Sequence, residues 1–150
     1  MKENLEFMEI AINEAKKGLK KGEVPIGACV VKAGKVISKG YNIREKSKNA
    51  LKHAEIIAIE KACKKLHDWR LNDCEIYVTL KPCPMCAGAI VNARIKTCYY
   101  GADETNANDN LCEQIFESTR LNHKTILKKE EKYSSVCATL LTEFFKNKRK

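Results

Sequence analysis

Pro82-Cys83-Pro84-Met85-Cys86 begins 27 residues after His53-Ala54-Glu55, and any fold in which the two motifs act together must bring them to one point. One imidazole and two thiolates fill three corners of a tetrahedral zinc ion and leave the fourth open. Glu55, two residues from the His, is placed to handle protons at that corner. Each half is ambiguous by itself. His-x-Glu recurs by chance, and a lone Cys-x-x-Cys also fits a redox dithiol or half of a structural zinc knuckle. A structural zinc requires a fourth protein ligand, and Cys29, Cys63, Cys74, Cys98, Cys112 and Cys137 stand singly, with no second close-spaced pair. The set therefore points to a hydrolytic zinc centre, against the plainer alternative of a buried His and two reduced cysteines.

A chain of 150 residues is the size of one domain, 1–150, able to bury a core without staples. Its eight cysteines would suit a disulfide framework in a secreted protein, but Met1-Lys2-Glu3-Asn4 opens no signal peptide. A reducing cytoplasm is the expected setting, with the six single cysteines acting as small buried hydrophobes. No apolar run is long enough to span a membrane. The net charge of +9 is concentrated late, where residues 124–150 hold eight Lys and Arg against three Glu. A polyanion such as nucleic acid suits that bias, although basic tails also simply solubilise.

Leu5, Met8, Ile12, Ala15 and Leu19 recur at helical spacing, with Gly22 just beyond. Residues 26–31 and 36–42 are β-rich runs joined through Lys32-Ala33-Gly34-Lys35, a hairpin signal. After a polar stretch, 44–49, the apolar set Ile56, Ile57, Ile59, Ala62, Cys63 and Leu66 predicts a helix over 53–66. Then follow a strand at 75–80, a turn at 82–86, a helix to about residue 93, a strand at 97–100, a polar loop at 104–110 and a short helix at 111–117. A last strand is predicted at 124–127 and a closing helix at 136–145, on Val136, Leu140, Leu141, Phe144 and Phe145. Alternating strand and helix predicts an α/β fold of three layers, α/β/α, around a mixed sheet of about five strands. Both motifs then fall at helix starts, where Pro84 needs no amide partner and the helix dipole favours thiolate.

Zinc brings the pKa of a bound water near neutrality, and Glu55 can take the water proton and deliver it to a leaving nitrogen. The fitting reaction is hydrolytic deamination of an aromatic amidine carbon, and His-x-Glu with Pro-Cys-x-x-Cys is the recognised pattern of zinc-dependent base deaminases. Flanking blocks carry a more specific resemblance: Glu23-Val24-Pro25-Ile26-Gly27-Ala28, Asn42, Trp69-Arg70-Leu71, Tyr77-Val78-Thr79-Leu80, Leu121-Asn122-His123 and Phe144-Phe145-Lys146. With them the chain resembles the bacterial tRNA-specific adenosine deaminases, of cytidine deaminase-like fold. That resemblance implies one zinc ion held by His53, Cys83 and Cys86, Glu55 as proton shuttle, Asn42 in contact with the target nucleoside, and a homodimer. It implies also that the wobble adenosine of a tRNA anticodon stem-loop becomes inosine. For Asn42 the competing reading is a strand-end turn residue. Trp69-Arg70-Leu71 and His123 read as structural.

The chain departs from the family in places. A loop that usually carries Lys and several Gly reads Asp103-Glu104-Thr105-Asn106-Ala107-Asn108-Asp109-Asn110, stiffer at Gly positions and with acids that would repel phosphate. Lys81 stands where Glu is usual, Lys52 where a small residue is common, and Ser135-Val136 where acids precede Cys137. The altered loop keeps open a free-base or nucleoside deaminase, acting on guanine, cytosine or a related heterocycle. A lapsed, RNA-binding zinc protein is disfavoured by the presence of Glu55.

Overall fold

The computed structural model describes residues 2–103 and 110–148, with side chains from residue 7 onward. The predicted loop residues 104–109, the Leu5 side chain and the basic terminal pair Arg149 and Lys150 lie outside the described set. The opening periodicity becomes helix α1 (Lys2–Lys20), whose Phe7, Met8, Ala11, Ile12 and Ala15 are buried at the i, i+3, i+4 spacing that one helix face requires. That face lies so close to strand β1 (Gly27–Lys32) that a Cβ on Gly27 would run into the Ala11 carbonyl, which is why glycine starts the strand.

β1 pairs antiparallel with β2 (Lys35–Tyr41) through a two-residue turn, Ala33 and Gly34, both at positive φ (51° and 75°), as a hairpin matching strand twist requires. On its other side β1 pairs antiparallel with β3 (Cys74–Leu80), which pairs parallel with β4 (Thr97–Ala102), and β4 in turn with β5 (Ile126–Lys129). The five-stranded mixed sheet thus has the order β2-β1-β3-β4-β5. Helix α2 (Arg44–Ser47) follows β2, α3 (Ala54–Leu66) precedes β3, and α4 (Pro84–Asn92), α5 (Leu111–Glu117) and α6 (Glu131–Lys148) complete the chain.

Strand alternation divides the interior into two cores. Ala28, Val30, Ile76, Val78 and Cys98 face α3 and α4, whereas Cys29, Val31 and Tyr77 face α1 and α6. Three layers result, as predicted. All eight cysteines are free, five of the six single ones being buried and Cys63 half-buried, so the thiols pack as hydrophobes. Among the described residues no helix is long and apolar enough to cross a membrane.

Three differences from the sequence reading have physical causes. The polar stretch contains α2, four residues that local propensity does not support; the buried Glu23 carboxylate accepts hydrogen bonds from the Glu45 and Lys46 amides (3.1 and 2.8 Å) at its start. β5 begins two residues later than predicted, because Thr125 is spent beforehand, its hydroxyl donating to the Ile95 carbonyl at 2.8 Å. α6 runs past both predicted ends, yet only Tyr133 and Cys137 are buried on it. Val136 and Phe145 are 41% and 46% exposed, so its apolar residues are not all core.

Candidate active site

The parallel half of the sheet supplies the scaffold. β3 ends at Leu80, and the chain turns through Lys81 and Pro82 into α4, whose N-cap is Cys83 and whose first residue is Pro84. Pro84 fits there because the first helical turn leaves its amides without intrahelical partners. His53 is the N-cap of α3, and neither N-cap side chain is spent in capping. The extended backbone at both positions (ψ 159° and 169°) directs the chain into its helix and leaves imidazole and thiol free to face each other.

His53 Nδ1 lies 3.7 Å from Cys83 Sγ and 3.6 Å from Cys86 Sγ, and the three donor atoms are all within 4.8 Å of one another. In a tetrahedral zinc site with N and S bonds of about 2.05 and 2.3 Å, an N to S edge spans about 3.6 Å. The donor set and its spacing therefore fit zinc, with Nδ1 as the inward nitrogen. Cys83 is half-buried; Cys86 and Glu55 are buried.

Electrostatics divides these groups. Cys83 is drawn down to about 4, first by a hydrogen bond from Cys86 and also by one from His53, against the opposing effect of burial. Cys86 is pushed up as the donor in that thiol pair and by burial. His53 is raised, chiefly by its hydrogen bond to Cys83. Burial lifts the Glu55 carboxyl to about 7, within the range in which a carboxylate can both accept and return a proton near neutral pH.

Above His53 and Ala54 opens a cavity of about 890 Å³, of a size that takes a small molecule or one splayed base. Val24, Ile26, Asn42 and Arg44 line one side, and Ala138, Leu141 and Phe145 of α6 another. Asn42 is buried, its side-chain oxygen accepting the Arg44 amide at 3.1 Å and its Nδ2 donating to the Val24 carbonyl at 3.4 Å. It is thus a strand-end turn residue that also lines the cavity. Sequence reasoning named the apolar face of α6 and Lys146 but gave neither them nor Arg44 a place in the cavity, although Leu141 and Phe145 stand at i, i+4 spacing on one face.

Elsewhere, His123 Nε2 donates to the Ile95 carbonyl at 2.8 Å, a structural role. Leu71 is buried, and Trp69, 51% exposed, has the Arg70 and Arg94 guanidinium groups 4.4 and 5.3 Å from its ring. Lys52 pairs with Glu60 at 2.9 Å. Asp103, the described acid of the altered loop, is not free to repel phosphate: Lys129 donates to Oδ2 at 2.7 Å and the Tyr100 hydroxyl to Oδ1 at 3.0 Å.

Known proteins place this geometry. A family model for MafB19-like deaminases matches residues 2–149. The chain is 40% identical to a tRNA-specific adenosine deaminase of Bacillus subtilis, covering 96% of this chain and 89% of that protein. It is 41% identical to the tRNA-specific adenosine deaminase of Aquifex aeolicus, over 95% of this chain and 94% of that one. A solved structure from work on A-to-I editing by tRNA:A34 deaminases superposes with a TM-score of 0.83 at 36% identity, covering 91% of this chain and 99% of that one. A guanine deaminase of Bacillus subtilis matches over less of the chain, 67% of this one and 65% of that one, at 43% identity and a TM-score of 0.64. With identity held across nearly its whole length, this chain belongs to the family of the tRNA-specific adenosine deaminases.

Proposed function

We propose that the chain hydrolyses adenosine to inosine at the wobble position of a tRNA anticodon, with His53, Cys83 and Cys86 holding one zinc ion and Glu55 moving protons. The observation that carries this reading is the three-donor cluster whose His53 lines a base-sized cavity, with the buried carboxylate of Glu55, which is not one of the three donors, hydrogen-bonded to Cys86. When bound, zinc supplies water acidified to near neutrality. Water adds at C6, N1 takes one of its two protons and N6 the other, the C6–N6 bond breaks, ammonia leaves, and C6 keeps the oxygen as the carbonyl of inosine, which carries its proton on N1. Glu55 accepts the proton from the attacking water and returns it to N6. Asn42, whose amide is held by Val24 and Arg44, presents a fixed polar edge to the nucleoside.

Arg44 and Lys146 line the cavity and suit a phosphate backbone, as does the basic run of α6. Membership of the tRNA-specific adenosine deaminase family supports a homodimer, and a tRNA substrate supports a cytoplasmic setting. Zinc-loaded protein incubated with an anticodon stem-loop carrying adenosine at the wobble position is expected to yield inosine and ammonia. No inosine with zinc bound would sink the reading. Ammonia released instead from guanine or cytosine would favour the free-base alternative.

A further inference from the structure

Lys81 is a cation with little access to water. It directly follows β3, is 9% exposed, and its Nζ donates to Glu113 Oε2 at 2.7 Å on α5. The same Nζ lies 3.5 Å from Asp103 Oδ1 and 5.4 Å from the centre of the Tyr100 ring. Lys129 completes the cluster by donating to the other oxygen of Asp103. Two ammonium groups thus face two carboxylates, with the largely exposed Glu131 at 3.8 Å from Lys129 on the outside. Glu113 depends on Lys81 in particular, because its second oxygen, Oε1, is buried without a hydrogen-bond partner among the described residues.

The position of the cluster gives it consequence. Asp103 lines the main cavity, whereas Tyr100, Glu113 and Lys129 line a separate cavity of about 500 Å³. The charge that Asp103 presents at the main cavity is therefore set by the lysines paired with it. A buried charge left unpaired is costly and projects its field through low-dielectric surroundings.

We propose that Lys81 is a positioning residue for the substrate: by pairing Glu113, and by sharing Asp103 with Lys129, it keeps two carboxylates balanced by two ammonium groups, so that a phosphate-bearing strand can approach the Asp103 rim of the cavity. This rests on the tRNA reading for its probe. It differs from a purely structural strut, for which only the tie from the end of β3 to α5 would matter.

The test uses the zinc-loaded full chain and the anticodon stem-loop, comparing the native protein with Lys81→Gln, Lys81→Arg and the double variant Lys81→Gln/Glu113→Gln. Lys81→Gln is expected to raise KM roughly three- to fivefold, the scale of one uncompensated charge about a Debye length from a phosphate, with kcat within about twofold. The increase should shrink in about 0.5 M salt. Lys81→Arg should stay near the native value, and the double variant should recover KM, since it removes the charge that Lys81 balanced. An unmoved KM, a kcat loss in its place, or a double variant as impaired as the single one overturns the proposal. Should Lys81→Gln not fold, Glu113→Gln alone decides, because deleting the half-exposed acid is expected to lower KM about twofold and an unchanged or higher KM refutes the electrostatic role. Absence of inosine from the native protein defeats the tRNA reading and this proposal together, whereas native activity with indifferent variants defeats this proposal alone.

Discussion

The floor of the cavity and its rim are assembled by opposite means. Within each motif the floor is local, with His53 and Glu55 two residues apart at one helix start and Cys83 and Cys86 three apart at another, and the fold closes spans of 30 and 33 residues once to bring the two starts together. The rim is long-range. Glu23 reaches amides 22 and 23 residues away, and Lys81 reaches an acid 32 residues away. The floor's chemistry follows from ligand type, whereas the rim's follows from which charges happen to be balanced.

The comparison breaks first at the floor. Replacing Cys83 or Cys86 with Ala leaves two donors where zinc needs three, and is expected to release metal, lower stability, and reduce turnover by at least about a thousandfold. Elemental analysis and inosine yield check both; a metal-free variant with near-native turnover would falsify the zinc assignment. Next in size is Glu55→Gln. It keeps the shape of the side chain and removes no proposed ligand, so zinc content should hold while turnover falls by about 100- to 10,000-fold. Loss of zinc in that variant would make Glu55 a ligand rather than a proton carrier.

The same contrast governs what could be read from the chain alone. The floor was legible because its signals are local, ligand residue types and Pro84 at a first helical position, just as apolar spacing gave α5 its observed bounds, Leu111–Glu117. The inward nitrogen of His53 was not, since spacing does not distinguish Nδ1 from Nε2. Nor was α2, whose stability comes from a carboxylate on another segment. Periodicity identified the apolar face of α6, but period alone does not say whether such a face meets a sheet or a cavity, and Leu141 and Phe145 meet the cavity. Lys81 read as an isolated departure because its partners are supplied by tertiary structure.

A smaller effect tests the wall. Glu23→Gln keeps the volume and removes the charge that two backbone amides are aimed at, a change worth about 1–3 kcal/mol at a buried site. Because those amides begin the helix that follows Asn42 and contains Arg44, KM for the stem-loop should rise by more than kcat falls. A variant of reduced melting temperature but unaltered KM would confine Glu23 to stability.

The smallest expected effect probes the rim by pH. Asp103 is held below the usual carboxylate range by the hydrogen bond from Lys129, then by that from the Tyr100 hydroxyl and the nearby lysine charges, against the opposing pull of partial burial. A carboxyl depressed in the folded state stabilises the protein above its unfolded value, and the benefit disappears as pH falls through the folded value. The window therefore lies below about pH 4, and the contribution is fully present at neutrality. Because the Asp103 side chain is 43% exposed, solvent screening limits the benefit to roughly 1 kcal/mol or less. Acid also protonates the floor, so the informative quantity is the difference in unfolding midpoint between the native protein and Asp103→Asn. Both proteins lose floor interactions alike, and the difference isolates the rim. It should be small and constant from about pH 6 to pH 5 and shrink toward zero near pH 3. A difference that grew on acidification would mean that the carboxylate is strained by its neighbours rather than held by them, and that Lys129 and Lys81 are not its counter-charges.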